Sequence, residues 1–221
     1  MNSAQLSGPR PVWTRDGSTM VSVSDPDVAL MLAFAQGREE AFVELYTRHR
    51  DRIVRYARRM LGDQAKAEEA AQDVFLKLYR ARGSYQAKSR FSTYLYRIAT
   101  NHCINLHARV ERRLVVNDSE AIDRALPAAR NQHDALSNNE LRASLEVALD
   151  KLPQHQRAAL LLVHYEGLSY RDAAEAIEVS EGAIKSLIHR ARSMLMVELA
   201  PLLDAALDTR PDTHNEVKHA L

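Results

Sequence analysis

Cysteine is almost absent: Cys103 is the single one in 221 residues. One thiol excludes an internal disulfide and fits a reducing compartment. Glycine and proline are scarce, with 7 of each, so few residues break helices or supply tight turns. No apolar run approaches the roughly 20 residues that span a bilayer, and the first residues have no apolar signal-peptide core. These absences predict a cytoplasmic protein with no membrane insertion. Chemistry-bearing motifs are missing too. There is no phosphate loop, no paired-cysteine metal spacing and no Gly-x-Ser-x-Gly elbow. Cys103 and His107 are four apart, but two ligands do not complete a zinc site. The expectation is a protein that is not an enzyme, has no catalytic residue, and carries no cofactor or metal.

What remains is rich in Ala, Leu, Arg and Glu, and 46% of the residues are hydrophobic. That composition favours helices with real cores, and no alternating β-branched run is long enough for a strand. The expected class is all-α. Residues 1–24 are punctuated by Pro and Gly and read as a disordered extension. Order begins at Asp25 or Asp27 with a short helix stopped by Gly37. Glu39 to Leu61 reads as a helix with Phe42, Leu45, Tyr46, Ile53, Tyr56, Ala57 and Met60 on one face. Gln64 to Arg82 follows, with Ala67, Ala70, Ala71, Val74 and Leu78 inward. After a loop, GSYQAKSR, Phe91 to about Arg113 carries Leu95, Ile98, Ala99, His102 and Leu106 on one side. These four helices make one domain, 25–113.

Periodicity lapses over 114–138, the expected flexible linker. Charge changes there as well. Lys88 to Arg113 has six Lys or Arg against one Glu, net +5, and Leu114 to Ser137 has two Arg against four acids, net −2. A second helical domain spans 139–200. It starts with Leu141, Leu145, Ala148, Leu149 and Leu152 as a stripe, and Pro153 suits the first turn of the next helix. Pro201 is expected to end the ordered part, leaving a polar tail over 201–221.

The second domain contains a helix, a tight turn and a helix. Ser169 caps the first helix, with Asp172 three residues on, and Ser180 caps the second. Ile184, Ile188, Ala191 and Leu195, at spacings of four, three and four, form its apolar stripe. Lys185, His189, Arg190 and Arg192 lie off that stripe. A short helix pair with a basic, capped second helix is a shape that enters the DNA major groove.

Three stretches together resemble bacterial RNA polymerase sigma factors of the extracytoplasmic-function (ECF) type, over roughly Asp27 to Leu199. AEEAAQDVFLKLYRAR (Ala67 to Arg82) is similar to the helix that grips the β′ coiled coil of the polymerase. FSTYLYRIATNHCINLHAR (Phe91 to Arg109) is similar to the helix that melts and reads the −10 element. The stretch from Leu152 to Arg192 is similar to region 4, which reads the −35 element. The resemblance implies a two-domain protein, regions 2 and 4. It implies core RNA polymerase as partner, through the β′ coiled coil and the β flap, together with promoter DNA and an anti-sigma factor.

Candidate residues follow. Arg97, Asn101 and Asn105 are spaced by four and face away from the apolar stripe. The amides of Asn101 and Asn105 can bond the edges of unpaired bases, or the Asn pair is simply solvated. Lys88, Arg90, Arg109, Arg112 and Arg113 can hold phosphates. Phe91, Tyr94 and Tyr96 could supply stacking, or else Phe91 and Tyr94 are core. For the −35 duplex the set is Arg171, Ser180, Glu181, Lys185, Ser186, His189, Arg190 and Arg192. Arg190 is best suited to grip guanine in two bonds, and Arg171 and Arg192 suit phosphate. Gln72, Asp73, Phe75 and Leu76 lie partly off the inward stripe of their helix. Polar and apolar groups exposed side by side suit a protein contact, which the resemblance assigns to β′; the alternative is that Phe75 and Leu76 are extra core.

The sequence departs from the family pattern in four places. Glu178 stands in the turn where Gly is usual, which costs about 1 kcal/mol if the backbone there is left-handed. Leu187 replaces a frequent Arg, Lys66 a frequent acid, and His102 an aliphatic residue of the inward face. An operator-binding helix-turn-helix regulator would explain residues 152–199 but not the basic block before the linker.

Overall fold

The computed structural model of the chain describes residues 25–116 and 136–208, with side chains over 25–109 and 143–201. The N-terminal extension, most of the expected linker and the end of the tail lie outside the described residues. Those residues form eight α-helices and one short 3₁₀ turn, with no strand among them. The helices are α1 (Pro26–Ala35), α2 (Glu39–Leu61), α3 (Gln64–Arg80) and α4 (Phe91–Val116), then α5 (Leu136–Asp150), α6 (Gln154–His164), α7 (Tyr170–Ala176) and α8 (Glu181–Asp208). The 3₁₀ turn, Arg82–Ser84, occupies the start of the expected loop.

Local chemistry sets these boundaries. Asp25 caps α1 by accepting from the Asp27 amide at 3.0 Å. Its other carboxylate oxygen accepts from the Phe91 amide at 3.1 Å, so one side chain ties the starts of α1 and α4. Gly62 ends α2 in the left-handed region at φ 71°, where a Cβ is penalised. Asp63 then caps α3 through the Lys66 amide at 2.8 Å.

The helices α1 to α4 pack on one another as an N-terminal bundle. Leu45, Ile53, Met60, Val74, Leu78 and Leu95 are wholly or almost wholly buried at its centre. Two buried polar residues, His49 and Thr100, add to the expected core. His49 is buried on α2 with its Nε2 2.8 Å from Asp27 Oδ2. The Tyr56 hydroxyl lies 2.7 Å from Thr100 Oγ1, deep between α2 and α4. Burial holds the Tyr56 hydroxyl pKa well above its ordinary value.

The helices α5 to α8 form the C-terminal bundle, with α8 packed on α5, α6 and α7. Ser169 caps α7 as expected, accepting from the Asp172 amide at 3.0 Å. Ser180 Oγ accepts from the Ala183 amide at 3.2 Å at the start of α8. Between them, Glu178 has φ 57°, the one positive φ outside glycine among the described residues. The suspected left-handed turn is therefore real, and its cost falls on a glutamate.

One boundary needs correction. Pro201 does not close the ordered part: α8 continues through it to Asp208. A mid-helix proline removes one amide donor and crowds the preceding turn, but the remaining bonds on either side carry the helix through.

The two bundles also touch. Helix α7 packs against α4, and α6 packs against α2 and α4. Arg157 on α6, only 2% exposed, donates to the Met60 carbonyl at the end of α2 at 2.9 Å. The same guanidinium group meets Asp150 at 2.9 Å.

Candidate nucleic-acid interface

Three sides of α4 have three fates. Leu95, Ala99 and His102 face the N-terminal core and are buried. Tyr96, Thr100 and Cys103, also at four and three, form a second buried line. The remaining side carries Arg97, Asn101, Asn105 and Arg109, with both Asn residues and Arg109 exposed. The amides expected to read bases thus stand on the solvated side of a helix held rigidly from its other two. Arg97 is half-buried because its guanidinium lies 5.2 Å over the Tyr94 ring. Lys88 and Arg90, both exposed, sit just before the helix.

The aromatic residues divide. Phe91 is fully buried and Tyr96 is 3% exposed, so both are packed and neither stands ready to stack on a base here. Tyr94 remains half-exposed, edge-on to Tyr85 at 5.0 Å. Burial, then the nearby Asp25 charge, pushes the Tyr85 hydroxyl up to about 12.

On the C-terminal bundle, Arg171, Lys185, Ser186, His189, Arg190 and Arg192 are all exposed. The stripe of Ile184, Ile188 and Ala191 is buried, which turns Lys185, Ser186, His189 and Arg190 outward. His155, Gly182, Ala183, Ser186, Leu187 and Arg190 line an open depression at the start of α8. Not every candidate is equally available. Ser180 is occupied by its cap, and Glu181 pairs with Lys185 at 3.7 Å. Ser186 Oγ donates back to the Gly182 carbonyl at 3.2 Å. Arg192 is tethered to His164 Nε2 at 2.8 Å. Slight burial and then that arginine lower the His164 pKa.

The expected polymerase contact on α3 is partly corrected. Gln72 and Leu76 are exposed, and Leu76 is one of the few large apolar side chains at the surface. Phe75 is not: it is 3% exposed and meets Tyr46 edge-on at 4.8 Å. The wider apolar arc of α3 turns it into the groove against α2. Asp73 is half-exposed and lies 3.3 Å from His102 Nε2.

Cys103 is fully buried, and burial raises its thiol pKa to about 12. The thiolate is the reactive form, so this cysteine is inert at neutral pH. No group of three or more metal-ligating side chains occurs among the described residues. No helix among them is long and apolar enough to cross a membrane.

Three residues that sequence reasoning passed over stand out at the contact of the bundles: Arg59, Arg157 and Glu166. Nothing in helical periodicity marks them, because their partners across the contact lie at least 70 residues away in the chain.

Comparison with known proteins fits this arrangement. Residues 45–113 match the family described as Sigma-70 region 2, and residues 142–195 that described as Sigma-70, region 4. The RNA polymerase sigma-H factor of Pseudomonas aeruginosa is 34% identical over 189 residues, covering 82% of this chain and 98% of its own. The ECF RNA polymerase sigma-E factor of Escherichia coli is 30% identical over 186 residues, covering 80% and 96%. Among solved structures, the sigma factor RpoE in complex with the anti-sigma factor NepR from Bartonella quintana has a TM-score of 0.59 at 26% identity, over 72% of this chain and 96% of that one. CnrH in complex with the cytosolic domain of CnrY shares the fold at 0.59 and 24% identity, over 82% and 99%. Two sigma-70 regions in order, and relatives at 30–34% identity aligned over nearly their whole length, place this chain in the ECF family of RNA polymerase sigma factors.

Proposed function

We propose that the chain binds core RNA polymerase and directs it to promoters, reading −35 duplex with α8 and melted −10 DNA with α4. One observation carries the reading: two solvated faces rich in Arg, Lys and Asn stand on two separate bundles, each backed by buried apolar stripes. A single operator-binding helix pair needs only one of them. Arg190 and Lys185 meet base edges, and Arg171 and Arg192 meet phosphate. Asn101 and Asn105 meet unpaired bases, with Lys88, Arg90, Arg97 and Arg109 along the backbone. Gln72, Asp73 and Leu76 form the β′ contact, and the C-terminal bundle meets the β flap. In this division region 2 spans 25–113, the linker 114–138, and region 4 begins at 139.

The protein acts in the cytoplasm, by binding and not by catalysis. An anti-sigma factor controls it: RpoE, at 26% identity, is in complex with one. The test is run-off transcription with purified core polymerase and a library of promoter fragments. Specific transcripts that vanish with Arg190→Ala or Asn101→Ala are expected. Tight duplex binding with neither polymerase binding nor transcript would overturn the reading and leave an operator-binding regulator.

A further inference from the structure

The open depression at the start of α8 has a wall made largely of hydrocarbon. Val179 from the turn, with Ala183 and Leu187 from α8, lines it, and all three are half-buried. Val179 and Leu187 pack against the core yet keep part of their surface open to the depression. Gly182 contributes no side chain, and a Cβ there would meet nothing within 4 Å. Leucine also stands at 187 where the family often carries Arg, so a position that is commonly cationic is apolar in this chain.

The nearby donors are engaged within the chain. The Ala183 amide donates to Ser180 Oγ at 3.2 Å, and the Ser186 hydroxyl donates to the Gly182 carbonyl at 3.2 Å. A phosphate entering the depression would find neither of them. His155 and Arg190, both exposed, complete the lining. Residues three apart on a helix are neighbours, with Cβ atoms about 5–6 Å apart. Leu187 therefore stands directly beside the guanidinium suited to guanine.

Most groups at the base edges of the major groove are hydrogen-bond donors or acceptors. The 5-methyl group of thymine is the apolar exception. We infer that Leu187, flanked by Val179 and Ala183, seats the 5-methyl group of a thymine in the −35 duplex. This rests on the proposed reading of that duplex by α8. Successive base pairs rise about 3.4 Å, so the spacing from Leu187 to Arg190 puts this thymine about one or two pairs from the guanine that Arg190 takes. Leu187 is then a specificity-determining residue. It acts by removing a methyl group from water, without a hydrogen bond.

The test removes that methyl group alone. Holoenzyme assembled from the full chain and core polymerase is titrated against the promoter fragment that gives the strongest run-off transcript. Each thymine of the −35 element, on either strand, is replaced singly by deoxyuridine, which keeps the base pairing. One of these replacements is expected to weaken binding about fourfold, the scale of one buried methyl group. With Leu187→Ala in the holoenzyme, the thymine and deoxyuridine fragments are expected to bind alike at that position. Equal binding of all the fragments by the wild type, or an undiminished deoxyuridine effect in Leu187→Ala, would overturn the seat. Circular dichroism checks that the variant keeps its helices. Should it lose them, Leu187→Gln retains a stem against the core and replaces the apolar end by an amide, and the same comparison decides. Failure of the proposed function would look different. No fragment would then give a transcript, or base changes across the −35 element would leave binding unaltered, and either result would remove the seat as well.

Discussion

His102 Nδ1 lies 2.6 Å from the Lys77 ammonium nitrogen. An ammonium only donates, so Nδ1 is an acceptor and the neutral ring carries its proton on Nε2, facing Asp73 at 3.3 Å. Burial, and then Lys77, lower the His102 pKa, with Arg109 adding to them and Asp73 and Glu69 opposing.

This pairing makes stability depend on pH in a definite direction. The folded pKa is below the unfolded value of 6.5. Below that value the unfolded chain takes up the proton first, so this contribution is full above pH 6.5 and is lost as pH falls through the folded pKa. The wild-type melting temperature is expected to drop more than that of His102→Leu between about pH 7.5 and pH 5.5, on either side of the ordinary histidine value. Thermal melts at both values check it, and parallel losses in the two proteins would refute it.

Glu178 at φ 57° is a second local cost. Glycine has no Cβ to clash in that conformation, so Glu178→Gly is expected to stabilise the protein by about 1 kcal/mol. The side chain is exposed, which leaves no packing to lose. Urea titration of the two proteins measures the gain. A destabilised Glu178→Gly would mean that the glutamate makes a contact worth more than the strain.

Phe75 and Leu76 are neighbours in sequence with opposite surroundings, and substitution separates them. Phe75→Ala empties a packed site against Tyr46 and is expected to cost 3 to 5 kcal/mol, roughly the range for large-to-small changes in cores. Leu76 is 45% exposed. Leu76→Ala is expected to leave stability within about 0.5 kcal/mol and to weaken core polymerase binding. Denaturant melts and polymerase pull-down of both variants test the pair. A Leu76→Ala protein that binds polymerase as the wild type does would remove this residue from the contact.

These cases show where sequence reasoning succeeds. The span of α2, Glu39–Leu61, and the caps at Ser169 and Ser180 were legible because they depend on residues within one or two turns, whereas the left-handed Glu178 was marked by the family pattern. The outward faces of α4 and α8 were legible because apolar spacing fixes which side is buried. What periodicity misses is the second neighbour. Tyr96 is buried because the other bundle reaches it through Glu166, and Thr100 because Tyr56 of α2 closes over it. Phe75 is buried for a similar reason, with α2 closing on the edge of the α3 stripe. Pro201 misled in the other direction: proline is a strong stop signal, and here α8 passes through it.

Arg190 and Arg171 are both exposed cations of the C-terminal bundle, and they are expected to fail in different ways. Arg190 projects from α8 beside Ser186 at the open depression, where a guanidinium can take a base edge in two bonds. Arg190→Ala is expected to lose about 1–3 kcal/mol on the preferred −35 duplex and little on duplexes changed at the contacted pair, so specificity relaxes there. Arg171 is on the first turn of α7, before the helix pair's turn, and suits phosphate. Arg171→Ala is expected to weaken all duplexes alike and to reduce the slope of log affinity against log salt by about one. Fluorescence anisotropy on a matched set of −35 duplexes over a salt series reads both quantities. If Arg190→Ala weakened every duplex equally, Arg190 would be a phosphate contact, and Lys185 and His189 would remain as the readers of base edges.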